Sequence, residues 1–400
     1  MIKPSKSLST SLKGPFGLAP MLTATNFASR LWFSQTSSPD FAIAPFLRVT
    51  KSDDIKKIPL IYAPEIFDVK DDVTYPLIPQ LMVNRVEDFL RFAEYFLKFT
   101  DHVDLNCGCP APTSVFRGGG SSLLQSSEKF RTFIETLIKE LGPEKISVKM
   151  RIGFEREAEF PVLLRAISSL PLAHLTIHGR TSKENYTGNA RWALVESAQA
   201  QVKYQIIGSG DIFSFNKLEV IRRTAPSINS FLIGRGILRN PWIFQELRTS
   251  KNETLSFDCL VFSLACFGLL QMLQHEDHKM LLKAVKKGFF LRFCGTDLSA
   301  WKKLYYDLVT LARGCPMTIT DFETGTTGLS FVKMIWSKIS SSLPSHFLSR
   351  KPLHSKSFSE FLENLRKLDQ ESSKDSSDCY TLSYKPELDA LFAPQSDLKK

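Results

Sequence analysis

Eight short apolar runs recur along roughly the first 235 residues of this 400-residue chain, and amphipathic helical patterns lie between most of them. Strands that alternate with helices argue for a parallel sheet. Eight such units argue for closure into a TIM-type (β/α)8 barrel. A third observation is chemical. Polar, basic or glycine residues follow nearly every run at the same end, as residues gathered around one barrel mouth would. The predicted fold class is therefore α/β, a barrel followed by a smaller C-terminal helical domain.

The expected strands are 16–19, 41–46, 77–81, 103–105, 146–149, 175–177, 204–207 and 231–233. The expected helices between them are 86–99, 128–141 and 158–170, with shorter ones at 192–200 and 216–223. A doubly wound open sheet is the competing arrangement, and it is disfavoured because no G-x-G-x-x-G follows the first strand. Beyond Trp242 the strand pattern stops, and 255–273, 280–293 and 298–312 read as helices. The expected organisation is an N-terminal extension (1–14), the barrel (15–248), the helical domain (249–369) and a Ser-, Asp- and Lys-rich tail (370–400) without fixed structure.

A hydrophobic content of 43% and a charged content of 23% are those of a soluble globular protein with a large core. The net charge of +10 suits a polyanionic partner without proving one. Seven scattered cysteines, an odd number, do not form a disulfide framework and suggest a reducing, cytoplasmic compartment. The opening MIKPSKSLSTSLKG lacks the apolar core of a secretory signal. The most apolar long segment, 255–273, carries Asp258 and Gln271 and reads as a buried core helix rather than a membrane span. The chain is expected to act as a monomer away from membranes.

The residues just past the strands carry the chemistry. Gly208, Gly210, Gly234 and Gly236 follow the last two strands, where barrel enzymes commonly hold a phosphate against backbone N–H groups. Arg235 can add a charge-assisted contact there. No G-x-x-x-x-G-K-[ST] occurs, so a nucleoside triphosphate is disfavoured and a flavin mononucleotide phosphate fits. Lys149 ends a strand where an ammonium can approach the electron-rich N1–O2 edge of a flavin and stabilise the reduced anion. Gln80 and Asn106 offer amides to the ring's polar edge. His178 can contact the phosphate or the substrate. Each has a plainer reading too: a turn glycine, a solvated lysine, a satisfied amide, a structural histidine.

Residues 106–124 read NCGCPAPTSVFRGGGSSLL. A strand ends in Cys107 and Cys109, and a triple glycine follows. Zinc would need further ligands at suitable spacing. A disulfide across one residue would be strained, and the C-x-x-C redox spacing is absent. A buried structural thiol remains open beside the functional reading, in which Cys109 is a general acid. The glycines suggest a mobile loop.

Several ordered motifs together resemble the tRNA-dihydrouridine synthases, most closely the bacterial class C enzymes. They are APMLTATNFASR at 19–30, QLMVN at 80–84, NCGCP at 106–110, GGG at 118–120, VKMRIG at 148–153, IHGRT at 177–181, GSGDI at 208–212 and IGRG at 233–236. The resemblance spans about residues 15–245 and implies a flavin enzyme that reduces a uridine, expected in the D-loop of tRNA, to 5,6-dihydrouridine. It implies NADPH as reductant of FMN, hydride from flavin N5 to C6, and a proton from Cys109 to C5. It implies a cofactor site of Pro20, Met21, Gln80, Asn106, Lys149, His178, Ser209, Gly210, Asp211, Gly234 and Arg235. Three positions depart from the family pattern: Pro112 stands for a usual Lys, Pro45 for a usual Glu and Ser209 for a usual Asn.

Arg48, Arg151 and Arg180 at the mouth are candidate substrate contacts. Residues 279–313 carry a basic excess with interleaved Trp301, Tyr305 and Tyr306, and Lys286, Lys287 and Arg292 are expected to contact RNA. The family's tRNA-binding domain occupies the same place. Two other readings stay open: a dihydroorotate-dehydrogenase-like enzyme on a free pyrimidine, and an RNA-binding barrel without catalysis.

Overall fold

The computed structural model describes residues 12–58, 62–69, 72–312, 328–343, 347, 349, 351–372 and 379–381. The first eleven residues, most of the segment after 372, Arg313 and Cys315 lie outside them.

Ten parallel strand segments form one sheet. They are β1 (Phe16–Leu18), β2 (Phe41–Ile43), β3 (Leu47–Arg48), β4 (Leu77–Ile78), β5 (Gln80–Met82), β6 (Val103–Cys107), β7 (Ile146–Arg151), β8 (His174–His178), β9 (Gln205–Ser209) and β10 (Ser230–Ile233). β1 pairs with both β10 and β2, which closes the ring. β2 pairs with β4 and β3 with β5, so each couple is one barrel strand interrupted once. The interruptions fall at Pro45 and Pro79, where no backbone N–H can join the ladder. Eight strands in this order form the α/β barrel expected from sequence. Pro45 thus has an architectural task.

Alternation along the strands separates two layers. Outward side chains such as Leu105, Val148, Leu175 and Ile206 pack in the main core beneath the helices. A small inner cluster of Ala19, Phe41, Ile43, Ile78, Ile207 and Leu232 fills one side of the barrel. The rest of the interior is polar, with Gln80, Asp104, Asn106, Ser147 and Thr176 all buried.

The long helices match the sequence expectations within a few residues, including Val86–Phe96, Ser127–Leu141, Phe160–Ile167 and Phe215–Thr224. The helix Phe27–Thr36 was not anticipated. All ten of its residues are buried, so it shows no polar face from which a period could be read. Its Asn26 side chain caps Ser29 N–H, and helix Phe257–Glu276 covers it. Asn26 and Gln271 join side chain to side chain (2.9 Å), Ala28 N–H donates to Gln274 (2.7 Å), and the rings of Trp32 and Phe267 lie 4.7 Å apart. Phe257–Glu276 is long and apolar enough for a membrane span, but it is a core helix here, 83% of its apolar window buried.

The expected helix 280–293 is shorter, running His278–Lys286, and Gly288 (φ +76°) leads the chain away. Helices Leu298–Ala312, Leu329–Ile339 and Phe358–Ser372 complete the C-terminal region. The tail expected to lack structure contributes a strand, Cys379–Thr381, which pairs antiparallel with Thr254–Ser256.

Candidate active site

β6 and β7 run side by side with Asp104 opposite Ser147 and Asn106 opposite Lys149. These four side chains share the inner face of the barrel with Gln80 of β5. Ser147 Oγ donates to Asp104 Oδ1 (2.6 Å) and Gln80 Nε2 to Asp104 Oδ2 (2.7 Å). Asn106 Nδ2 donates to Gln80 Oε1 (2.8 Å). The free end of the chain is Asn106 Oδ1, which accepts the backbone N–H groups of Gly108 (3.1 Å) and Cys109 (2.9 Å). Tyr62 adds a bond from its hydroxyl to the Gln80 carbonyl (2.9 Å). Burial pushes the Asp104 carboxyl up to about 6, against the opposing effect of its two hydrogen bonds and of Lys149.

Gln80 and Asn106 therefore do not line the pocket in which the sequence placed them. Their amides join a network that shapes the Cys109 turn, each NH2 using one of its two hydrogens there. Asn106→Ala should strand two N–H groups, lower stability by about 1–3 kcal/mol and raise the rate at which a thiol reagent labels Cys109. Asn106→Asp, which keeps the acceptor, should label at close to the wild-type rate.

Cys109 follows β6 and is half-buried, its thiol donating to Ser114 Oγ (3.7 Å). Pro112 is the first residue of the short helix Pro112–Phe116, a position where its missing N–H is harmless. The glycine loop is not slack. Gly119 N–H donates to Ser114 O (3.0 Å), Ser121 N–H to Cys109 O (3.1 Å), and Asn84 Nδ2 to Arg117 O (2.8 Å). Gly120 is required by its φ of +61° and because a Cβ there would sit 2.8 Å from the Cys109 carbonyl oxygen. Close packing, not mobility, explains that glycine.

Beside this turn, a hollow of about 520 Å³, open solvent included, lies at the carboxyl ends of β1 and β7 to β10. Pro20, Met21, Lys149, His178, Ser209, Gly210, Asp211, Gly234 and Arg235 all line it, as the sequence anticipated. Arg180 Nη2 and Arg235 Nη2 both bind Asp211, at 2.8 and 3.2 Å. Arg180 Nη1 and His178 Nδ1 are buried without a protein partner among the described residues. Burial, then Arg151, Lys149, Arg180 and Arg235, holds the His178 imidazole well below its ordinary range, so the ring is neutral. Burial, then Arg151, pulls the Lys149 ammonium down to about 8. So much positive charge around one hollow, opposed directly by a single carboxylate, suits an anionic ligand.

Three glycines of the last two strand ends have a different cause from the one anticipated. A Cβ at Gly208 would strike Trp192 (2.3 Å), at Gly210 the Ala190 methyl (2.6 Å), and at Gly236 the Ile212 carbonyl oxygen (2.2 Å). Only Gly234 leaves ordinary space. Tyr186, Ile212 and Phe213 also line the pocket, and the sequence did not flag them. Tyr186 lies in a loop with no period to betray it, yet Arg235 sits over its ring at 4.6 Å and Arg151 at 5.5 Å.

The candidate substrate residues divide. Arg48 is half-buried at the mouth. Arg151 is buried and donates to the carbonyls of Gly108 (2.9 Å), Thr181 (2.8 Å) and Asn185 (2.7 Å), so it braces the Cys109 loop. Arg180 is similarly held by Thr187, Gly188 and Asp211. Lys286, Lys287 and Arg292 are exposed. They lie elsewhere, because Gln35 at the far end of helix Phe27–Thr36 binds Phe290 O (2.9 Å) and Gly295 N–H (2.9 Å). A ten-residue helix puts that end about 15 Å from the mouth. Of the interleaved aromatics, Trp301 is fully buried, Tyr305 is half-buried, and Tyr306 is 60% exposed.

A closed parallel barrel with a thiol and a pocket lined by Lys149, His178 and Arg235 at the carboxyl ends of its strands defines the class of an α/β-barrel enzyme. The sequence model of the dihydrouridine synthase family matches residues 17–293, and the chain belongs to that family. It is 28% identical over 238 residues to a tRNA-dihydrouridine(16) synthase of Neisseria meningitidis, covering 59% of this chain and 71% of that one. It is 26% identical over 261 residues to a human tRNA-dihydrouridine(47) synthase [NAD(P)(+)]-like protein, covering 64% of this chain and 38% of that one. Among solved structures, morphinone reductase aligns with a TM-score of 0.41 at 13% identity, covering 59% of this chain and 86% of that one.

Proposed function

We propose that the protein reduces a uridine of tRNA to 5,6-dihydrouridine, with FMN as its bound flavin and NADPH as the electron donor. The observation that carries this reading is the nearness of the Cys109 turn to the pocket of Lys149, His178, Arg180 and Arg235. The buried, unpartnered His178 Nδ1 and the Arg235 guanidinium, both in the lining, fit the phosphate of a flavin mononucleotide, and Arg180, bound to Asp211, adds its charge nearby. Lys149 fits the pole of the ring that gains negative charge on reduction. The flavin, when bound, supplies the hydride to uracil C6. Cys109 holds the proton for C5. The Asn106 network and Arg151 keep the turn in place while the pyrimidine enters. The two relatives are named for different tRNA positions, so neither name decides which uridine is reduced. The barrel would serve the chemistry, and the helical region from 249 on would cover helix Phe27–Thr36 and add RNA-binding surface.

The test is direct. Purified protein should be yellow, and with NADPH and an unmodified tRNA transcript it should yield a nucleoside heavier than uridine by two hydrogens. Reduction of free orotate and not of tRNA would overturn the reading, as would a protein that takes up no flavin. Arg235→Glu should release the flavin. Lys149 carries its charge below about pH 8 and loses it above. Flavin affinity of the free protein should therefore weaken as pH rises through that value, and Lys149→Met should flatten the dependence.

A further inference from the structure

On the other side of the Cys109 turn from the cofactor pocket lies a second hollow, about 670 Å³ of open space at the ends of β3 and β5. Arg48, Thr50, Asn84, Phe116 and Arg117 line it, and no carboxylate does. Met82, Gly119 and Gly120 form the partition between it and Cys109, since a Cβ on Gly120 would touch both Cys109 Cβ (3.1 Å) and Met82 Sδ (3.4 Å). Phe116 is 92% exposed, the most exposed of the large apolar side chains described. It ends the helix that Pro112 begins, only seven residues from the thiol. Arg117 is exposed beside it, and Arg48 donates to the Thr113 carbonyl at the foot of the same helix (3.2 Å). The acidic neighbours Asp53 and Asp54 border Arg48 in an adjoining hollow, where Asp53 is bound by Thr50 N–H (2.7 Å).

We propose that this hollow is a subsite for an unpaired nucleotide next to the reacting uridine, with Phe116 stacking on its base and Arg48 and Arg117 holding its phosphates. The proposal rests on the reading of the site as one that takes a tRNA uridine. A bare phenyl face in water with two guanidiniums around it is a poor core element and a good platform for a base. Every base presents a π-face, so such a platform accepts any neighbour and fixes the strand rather than its sequence. Charge complementarity selects a nucleic acid over an apolar peptide, because both ionic groups of the lining are cationic. Continuity with the Cys109 turn selects the strand that carries the target. Phe116 is thus a positioning residue, holding the uridine over the cofactor pocket through its neighbour.

The experiment compares wild type with Phe116→Ala, Phe116→Trp and the double variant Arg48→Gln/Arg117→Gln, using unmodified tRNA transcript as substrate and flavin absorbance as the check on folding. Phe116→Ala should raise KM for tRNA roughly 5- to 100-fold, with a smaller change in kcat. Phe116→Trp should restore it, and its exposed indole should be quenched on addition of oligouridylate. The arginine variant should flatten the slope of log affinity against log salt by up to about 0.7 for each lost single-strand contact. An unchanged KM in Phe116→Ala, or an indole that RNA does not quench while wild type converts tRNA, would overturn the proposal. If wild type forms no dihydrouridine but quenching persists, the reading of the site falls and the RNA subsite stands. Without conversion or quenching, both fall.

Discussion

Cys109→Ala protein should retain its flavin and its reduction by NADPH while losing about 10²- to 10⁴-fold of its uridine reduction, the usual contribution of a positioned general acid. The thiol lies on a turn fixed from below by Asn106 and from above by the Gly120 contact, so its removal leaves the pocket of Lys149 and Arg235 untouched. Single-turnover measurement separates the steps: flavin reduction first, then transfer to tRNA. Cys107 offers the control. It lies on the outer face of β6, fully buried, and burial pushes its thiol well above the ordinary range. Cys107→Ala should cost packing and little chemistry. A result with the two variants exchanged would reassign the acid.

The largest effect on stability is expected at Arg30 and Glu65. Arg30 is fully buried and Glu65 nearly so, and they meet through two bonds, Nε to Oε1 (2.6 Å) and Nη2 to Oε2 (2.8 Å). Thr25 and Tyr62 carbonyls take two more of the five guanidinium donors, and the Tyr75 hydroxyl donates to Glu65 (2.9 Å). Removing one partner leaves a buried charge uncompensated. Glu65→Leu or Arg30→Met should each lower the unfolding free energy by about 3–5 kcal/mol, while the double variant should recover much of it. Urea midpoints at constant m-value would show this. Additive losses in the double variant would mean that the pair is not coupled. The pair also steadies Tyr62, and through Tyr62 the Gln80 end of the polar network.

These two sites differ in how far the sequence revealed them. The place of Cys109 just past a strand end was legible because a strand pattern, a thiol and glycines fall within twenty residues of one another. Lys149, His178 and Arg235 were legible for the same reason, since each ends an apolar run and the barrel carries all such ends to one mouth. The Arg30–Glu65 pair was not legible. It joins a helix without a polar face to the four-residue helix Pro64–Phe67, 35 positions away, and no local pattern encodes that meeting. Residue type misled wherever packing and ligand binding use the same amino acid. Gly208 is small because of Trp192, Gly236 because of the Ile212 carbonyl, and Trp301 is aromatic to fill the core rather than to meet RNA. The network that joins Gln80, Asn106 and Asp104 was not legible, because inner-face alternation does not say which side chains bond one another.

Gly295 gives the molecule an unexpected kind of unity. Its carbonyl accepts the indole N–H of Trp242, which follows the last barrel strand, at 2.6 Å, and that of Trp301, on helix Leu298–Ala312, at 2.9 Å. The family match ends at residue 293, two positions before that oxygen. A chain cut at the edge of the recognisable sequence would therefore orphan the buried Trp242 indole and remove the Gly295 N–H that Gln35 O accepts at the end of helix Phe27–Thr36. The end of the family match and the end of this hydrogen-bonded packing do not coincide. The stretch just past residue 293 is thus part of the packing around the barrel, and substitutions at Gly295 or Trp301 are constrained by it.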